Sequence, residues 1–160
     1  MTNLRSAALQ SWLSDAGSFM KRLREHQLPS QVVVLKQSWS YPQAAERAIL
    51  GVRPQRYVFI REVEIQAQQE PLLFARVTIP ASTLTGPERR LAQLGSSSLG
   101  SVLFSYPGLE RSPFEIKPCQ LLQYSSSLLW ERQSLFHLRG KPLLLTEVFL
   151  PRLIDFIESL

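Results

Sequence analysis

Apolar and polar residues alternate with period two along much of the chain, and two of the alternating runs carry an exception. From Leu143 to Phe149 the positions Leu143, Leu145, Glu147 and Phe149 share one face of a predicted strand, so a carboxylate stands among apolar neighbours. The preceding run, Leu128 to Leu138, also reads as a strand, with Arg139-Gly140-Lys141-Pro142 as the turn between them. An earlier strand, Arg56 to Ala67, repeats the anomaly: Tyr57, Phe59, Arg61, Val63 and Ile65 line one face, with a guanidinium among them. An unpaired buried charge is strongly unfavourable, so Arg61 and Glu147 each need a partner, either the other charge or a ligand. The plainer alternatives are a structural ion pair, or a register one residue off that turns both side chains outward.

Helical spacing marks the N-terminal part. Thr2 is placed to cap a helix carrying Leu4, Ala8, Leu9 and Trp12, which Gly17 ends. Ser18 opens a second short helix, Phe19 to His26, closed before Pro29. A strand is expected over Gln31–Ser38 and a helix over Pro42–Leu50, stopped by Gly51 and Pro54. Arg56–Ala67 and Leu72–Ile79, joined through Gln68-Gln69-Glu70-Pro71, form an antiparallel hairpin. Pro87 opens a helix reaching Leu94 with Gly95 as its cap, and a short apolar turn spans Leu99–Phe104. Three strands, Phe114–Tyr124, Leu128–Leu138 and Leu143–Leu150, precede a terminal helix, Arg152–Leu160, with Leu153, Ile154, Ile157 and Leu160 on one side. Helices gathered early and strands gathered late predict an α+β fold over a single domain, residues 1–160. Its core is a single antiparallel β-sheet of about six strands covered by helices.

Composition narrows the chemistry. The chain has 160 residues and a net charge of +5, but its basic residues are scattered in ones and twos, without the aromatic-interleaved stripe of a nucleic-acid binder. The plainer reading is a solvated surface with a modest excess of arginine; the second is a positive field that draws a small dianion towards its pocket. Cys119 is the only cysteine, so no intramolecular disulfide forms, and a packed thiol is a plainer reading than a nucleophile. His26 and His137 have no Cys, Asp or Glu at ligand spacing, and glycine-rich phosphate loops are missing, so neither metal nor cofactor is expected. Apolar runs too short to cross a bilayer and a start without a secretory signal make a cytoplasmic protein, without membrane insertion, the expectation. A monomer is the expected state by default, since the sequence leaves oligomerisation open.

Several pieces in order resemble the chorismate pyruvate-lyase family. They are Trp12-Leu-Ser-Asp15 with Gly17-Ser-Phe-Met-Lys-Arg-Leu23, Arg56-Tyr57 with Ile60-Arg-Glu62, Phe74-Ala-Arg-Val-Thr-Ile-Pro80 and Ser82-Thr-Leu-Thr-Gly-Pro-Glu88. Leu94-Gly95, Leu99-Gly-Ser-Val-Leu-Phe104, Leu129-Trp-Glu-Arg-Gln-Ser134 and Gly140-Lys-Pro-Leu-Leu-Leu-Thr-Glu-Val-Phe-Leu-Pro151 complete the set. The resemblance implies conversion of chorismate to 4-hydroxybenzoate and pyruvate without a cofactor, for ubiquinone or plastoquinone synthesis. It also implies an internal ligand site beneath helical flaps. By the same resemblance Arg61 grips the ring carboxylate, Glu147 stands at the phenolic end and Leu99 contacts the ligand through its backbone. Phe19 occupies the place of a usual methionine, with Met20 next to it, and Ser98 stands where a proline often precedes the Leu-Gly pair.

Arg61 and Glu147 are thus the expected catalytic pair. Arg76, alternating with Leu72, Phe74 and Thr78, is expected to support rather than touch the ligand, and Arg132, sharing a face with Trp130 and Phe136, to help shape the pocket. A lyase acting on a related substrate is a variant of this reading. The alternative from another class is a non-catalytic sensor of small aromatic acids, since effector domains of some bacterial regulators resemble this fold. Those follow a DNA-binding domain, whereas only about ten residues precede the matching region here, which favours the enzyme.

Overall fold

The computed structural model describes residues 5–160. Thr2 and Leu4, expected in the first helix, lie outside the described residues. Helix α1 spans Ala7–Leu13 and is capped by Ser6, whose hydroxyl accepts from the Leu9 amide at 3.0 Å. Helix α2, Phe19–Glu25, opens at Ser18 as expected, the Ser18 hydroxyl accepting from the Lys21 amide. After strand β1, Gln31–Ser40, helix α3 runs from Ala44 to Leu50 and stops at Gly51, whose φ of 68° places it in the left-handed region that glycine adopts most readily.

Strands β2, Val58–Ala67, and β3, Glu70–Pro80, form the expected hairpin, turned by Gln68 and Gln69 at φ 54° and 66°. Two residues of positive φ match the right-handed twist of the flanking strands. Gly86–Gln93 is a 3-10 helix rather than an α-helix. Its buried residues are Glu88 and Leu91, three apart, and three residues per turn stack them on one side. Helix α4, Leu99–Leu103, follows, then the two-residue β4, Glu110–Arg111, and β5, Glu115–Cys119. Strands β6, Leu129–Leu138, and β7, Lys141–Phe149, lead into helix α5, Pro151–Glu158.

All pairings are antiparallel. The sheet has seven strands in the order β1-β2-β3-β7-β6-β4, with β5 also paired to β6. The count exceeds the expected six because the segment after α4 contributes two short edge pieces to β6. The strand expected over 114–124 ends at Cys119, and a turn closed by Tyr124 N–H to the Leu121 carbonyl follows.

One face of the sheet carries two apolar clusters. Leu9, Trp12, Leu13 and Leu23 pack with Phe149, Leu153 and Ile157 at one end; Leu91 and Leu103 pack with Phe59, Val77, Phe136 and Leu143 at the other. The opposite face carries Arg76, whose Nε donates to Glu46 at 2.8 Å and whose Nη1 donates to Glu62 at 3.0 Å, while Thr78 also donates to Glu46. This network ties α3 to the sheet, so Arg76 holds the scaffold from behind. Among the described residues no helix is long and apolar enough to cross a membrane.

Candidate active site

The register sets the site. Val63, Ala75, Glu147 and Arg132 are successive cross-strand neighbours on β2, β3, β7 and β6; Arg61, Val77, Leu145 and Ser134 form the adjacent row. Side chains of one parity point to one face, so both rows look into the space between the two apolar clusters. Ala75, small and directly beside Glu147, leaves room above the carboxylate.

Arg61 is only 2% exposed. Its Nη1 donates to the Gly95 carbonyl and its Nη2 to the Ser97 carbonyl, each at 2.8 Å. Both acceptors lie in the loop leading into α4, so Arg61 fastens that cover to the sheet. Three of its five N–H groups remain for a ligand. Burial lowers its pKa, yet a guanidinium titrates so high that it stays cationic.

Glu147 does not pair with Arg61. Its partner is Arg132, whose Nε donates to Oε1 at 2.9 Å and Nη2 to Oε2 at 3.3 Å. Arg132 Nη1 donates in addition to the carbonyls of Trp12, Leu13 and Asp15, the C-terminal oxygens of α1 and its exit. The Trp12 oxygen also accepts from the Asp15 amide at 3.3 Å, so the arginine completes the hydrogen bonding at a helix exit and holds a carboxylate together with it. Sequence reasoning gave Arg132 a share in shaping the pocket; the structure makes it the partner of Glu147, a pairing that the sequence offered as one of two alternatives for Arg61.

Arg61 and Glu147 line one cavity of about 90 Å³ together with Leu99 and Phe19. Phe19 enters from α2, its ring centroid 6.1 Å from Trp12 and 6.2 Å from Phe149, with Met20 also in the wall. Leu99 enters from the start of α4. Two short helices therefore cover the cavity from opposite ends of the sheet. Arg111 on β4 also reaches the cavity, and sequence reasoning had not singled it out. A two-residue strand has no period to read; only its place in the run Glu110-Arg111-Ser112 marks it.

Neither histidine lies in the wall. His26 is exposed but packs beside Trp12 and Phe156, and His137 is half-buried on the opposite face. Cys119 stands apart as well, its thiol pushed up to about 11 by burial, with Glu131 adding to the shift. Among the described residues no three His, Cys, Asp or Glu side chains converge as a metal site requires. The cavity offers an apolar slot for a ring, one carboxylate, and three guanidiniums.

The family model described as chorismate lyase matches residues 1–157. The chain belongs to the chorismate lyase family. A chorismate pyruvate-lyase of Erwinia tasmaniensis is 41% identical over 150 residues, covering 92% of this chain and 81% of the relative. A probable chorismate pyruvate-lyase of Methylococcus capsulatus is 34% identical over 161 residues, covering 94% and 99%. Among solved structures, PhnF from Mycobacterium smegmatis aligns at TM-score 0.64 with 11% identity, over 86% of this chorismate lyase family member and 65% of the PhnF chain. The C-terminal domain of the histidine utilization repressor from Pseudomonas syringae pv. tomato aligns at TM-score 0.59 with 12% identity, over 77% and 92%. At such identity the likeness is one of fold, and it carries no sensor role into the family member described here.

Proposed function

We propose that this protein is a chorismate pyruvate-lyase, converting chorismate to 4-hydroxybenzoate and pyruvate. The observation that carries the reading is the meeting of Arg61 and Glu147, from strands separated by β3, in one apolar cavity beneath two helical covers. Arg61 holds the ring carboxylate through its uncommitted N–H groups in a fork that lysine does not reproduce. The Leu99 backbone and the Phe19 ring hold the carbocycle from the two covers. Glu147, oriented by Arg132, stands at the 4-hydroxyl and the C3 ether.

The C4–H electron pair becomes the new ring double bond as the C3–O bond breaks, and the proton given up at C4 is matched by the one that the departing enolpyruvate takes at its methylene carbon to become pyruvate. Gain of aromaticity drives the elimination forward. What remains for the protein is to fix the diene and leaving group, exclude water and assist proton movement. A covered cavity with a fixed guanidinium and carboxylate does this without reorganisation during the reaction. The product enters quinone synthesis, ubiquinone or plastoquinone, in the cytoplasm.

The test is to mix purified protein with chorismate and quantify pyruvate and aromatic product. Equal amounts of pyruvate and 4-hydroxybenzoate are expected. Intact chorismate beside measurable 4-hydroxybenzoate binding overturns the enzyme reading in favour of a binding module.

A further inference from the structure

We propose that Arg111 binds the second carboxylate of a dianionic substrate, the one on the enolpyruvyl side chain that the reaction removes. The proposal rests on the lyase reading above and assigns a group that the reading leaves without a partner.

Four charged side chains line the cavity. Glu147 and Arg132 neutralise each other, which leaves two cations, Arg61 and Arg111. Among the described residues neither has a carboxylate within salt-bridge distance, and residues 1–4, Met-Thr-Asn-Leu, contain no acidic side chain. Two unpaired cations in a covered cavity match a ligand with two anionic groups, one for each.

Arg111 is held for such a task. Nη1 donates to the Ala16 carbonyl and Nη2 to the Ser134 hydroxyl, each at 3.1 Å. The guanidinium carbon lies 4.2 Å from the Phe114 ring centroid and 4.7 Å from that of Phe136. Its buried Nε has no acceptor among the described residues. A buried donor with no acceptor is costly, and a carboxylate at the cavity wall supplies both acceptor and counter-charge. Burial pushes the pKa of Arg111 down, the direction expected of a cation lacking an anion, although Glu147 nearby pulls it back up.

The order of the strands fits the order of groups on the substrate. Arg61 sits on β2, Glu147 on β7 and Arg111 on β4, with the sheet running β2-β3-β7-β6-β4. A ring carboxylate at Arg61 puts the far side of the ring over Glu147, and the ether side chain then extends towards Arg111. Cleavage leaves 4-hydroxybenzoate with one carboxylate only. Arg111 therefore distinguishes substrate from product, which Arg61 cannot do.

The experiment compares two stable ligands by titration calorimetry: 4-hydroxybenzoate, with one carboxylate, and 3-(1-carboxyvinyloxy)benzoate, with two. Wild type, Arg111→Gln and Arg111→Lys are measured, beside kcat and KM with chorismate. Arg111→Gln should weaken the diacid by about 30-fold or more, as loss of one partner of a desolvated charge pair does, and raise KM for chorismate. Its affinity for 4-hydroxybenzoate should stay within about twofold, which also reports an intact fold; Arg111→Lys should recover part of the diacid affinity. Equal weakening of both ligands, or undiminished diacid binding, overturns the proposal. Failure of wild type to release pyruvate counts against the lyase reading alone, because the diacid-to-monoacid ratio still decides the role of Arg111.

Discussion

Arg132 and Glu147 are direct cross-strand neighbours on β6 and β7, joined by two hydrogen bonds, and each is less than 10% exposed. Bringing both charges out of water is unfavourable, and their geometry compensates only while both are present. Arg132→Met should therefore destabilise the fold by about 3–5 kcal/mol, stranding Glu147 and taking a donor from three carbonyls of α1 and its exit. Adding Glu147→Leu should recover much of that loss while abolishing turnover. Urea unfolding of the two variants reads this directly, and a neutral single variant would show that the pair carries no structural weight.

Arg61→Ala should lower kcat/KM for chorismate at least about 100-fold, the usual scale for loss of a group that stabilises charge in a covered site. Arg61→Lys should rescue little, since a single ammonium cannot hold the Gly95 and Ser97 carbonyls and a carboxylate fork together. Near-normal turnover in a folded Arg61→Ala protein rules out the assigned role.

Phe19 closes the cavity from α2, against Trp12 and Phe149. A cover of this kind should retain an aromatic product, so wild-type progress curves should bend as 4-hydroxybenzoate accumulates. Phe19→Ala should weaken 4-hydroxybenzoate binding by about tenfold, the scale of a lost aromatic contact with its buried area, and straighten the curves. Linear wild-type curves at high product concentration contradict this.

Acid should weaken the fold from the face behind the site. Burial alone would raise the Glu46 carboxyl, but hydrogen bonds from Arg76, Thr78 and the Gln43 amide outweigh it and hold the pKa below the ordinary range. A depressed folded-state value means that the stabilisation is complete above the unfolded pKa and is lost as pH falls through the folded one. Glu46→Gln should thus be less stable than wild type at neutral pH, with the difference shrinking below about pH 4. A gap that stays constant between neutral and acid melts would show that the carboxylate charge is not responsible.

Cys119, with its thiol near 11, should react with iodoacetamide about 100-fold more slowly at neutral pH than a free thiol, two pH units of lost thiolate. Cys119→Ser should keep full kcat/KM. Rapid alkylation together with loss of turnover would restore it as a candidate nucleophile.

The residues that betrayed the site in the sequence were charges breaking a period-two pattern on long strands. Arg61 and Glu147 could be read because β2 has ten residues and β7 has nine, enough for the alternation to be visible. The same pattern put Arg132 on the cavity face, but not its partner: pairing across β6 and β7 depends on register, and a single sequence does not show that the carboxylate meets this arginine before the other. Arg111 was hidden because β4 has two residues and its placement comes from β6 alone. The 3-10 geometry of Gly86–Gln93 was hidden for a related reason: Glu88 is drawn inward by Tyr106 and Lys141, residues distant in the chain.

Arg61 and Arg132 both hold the covers of the cavity by main-chain oxygens, those of Gly95 and Ser97 on one side and of Trp12, Leu13 and Asp15 on the other. Every amino acid carries that oxygen, so the fastening makes no demand on which side chains the covers bear. A substitution in the roof that leaves its backbone in place therefore leaves its hinges intact. The closure thus depends on the two arginines of the floor rather than on the identity of the side chains above them.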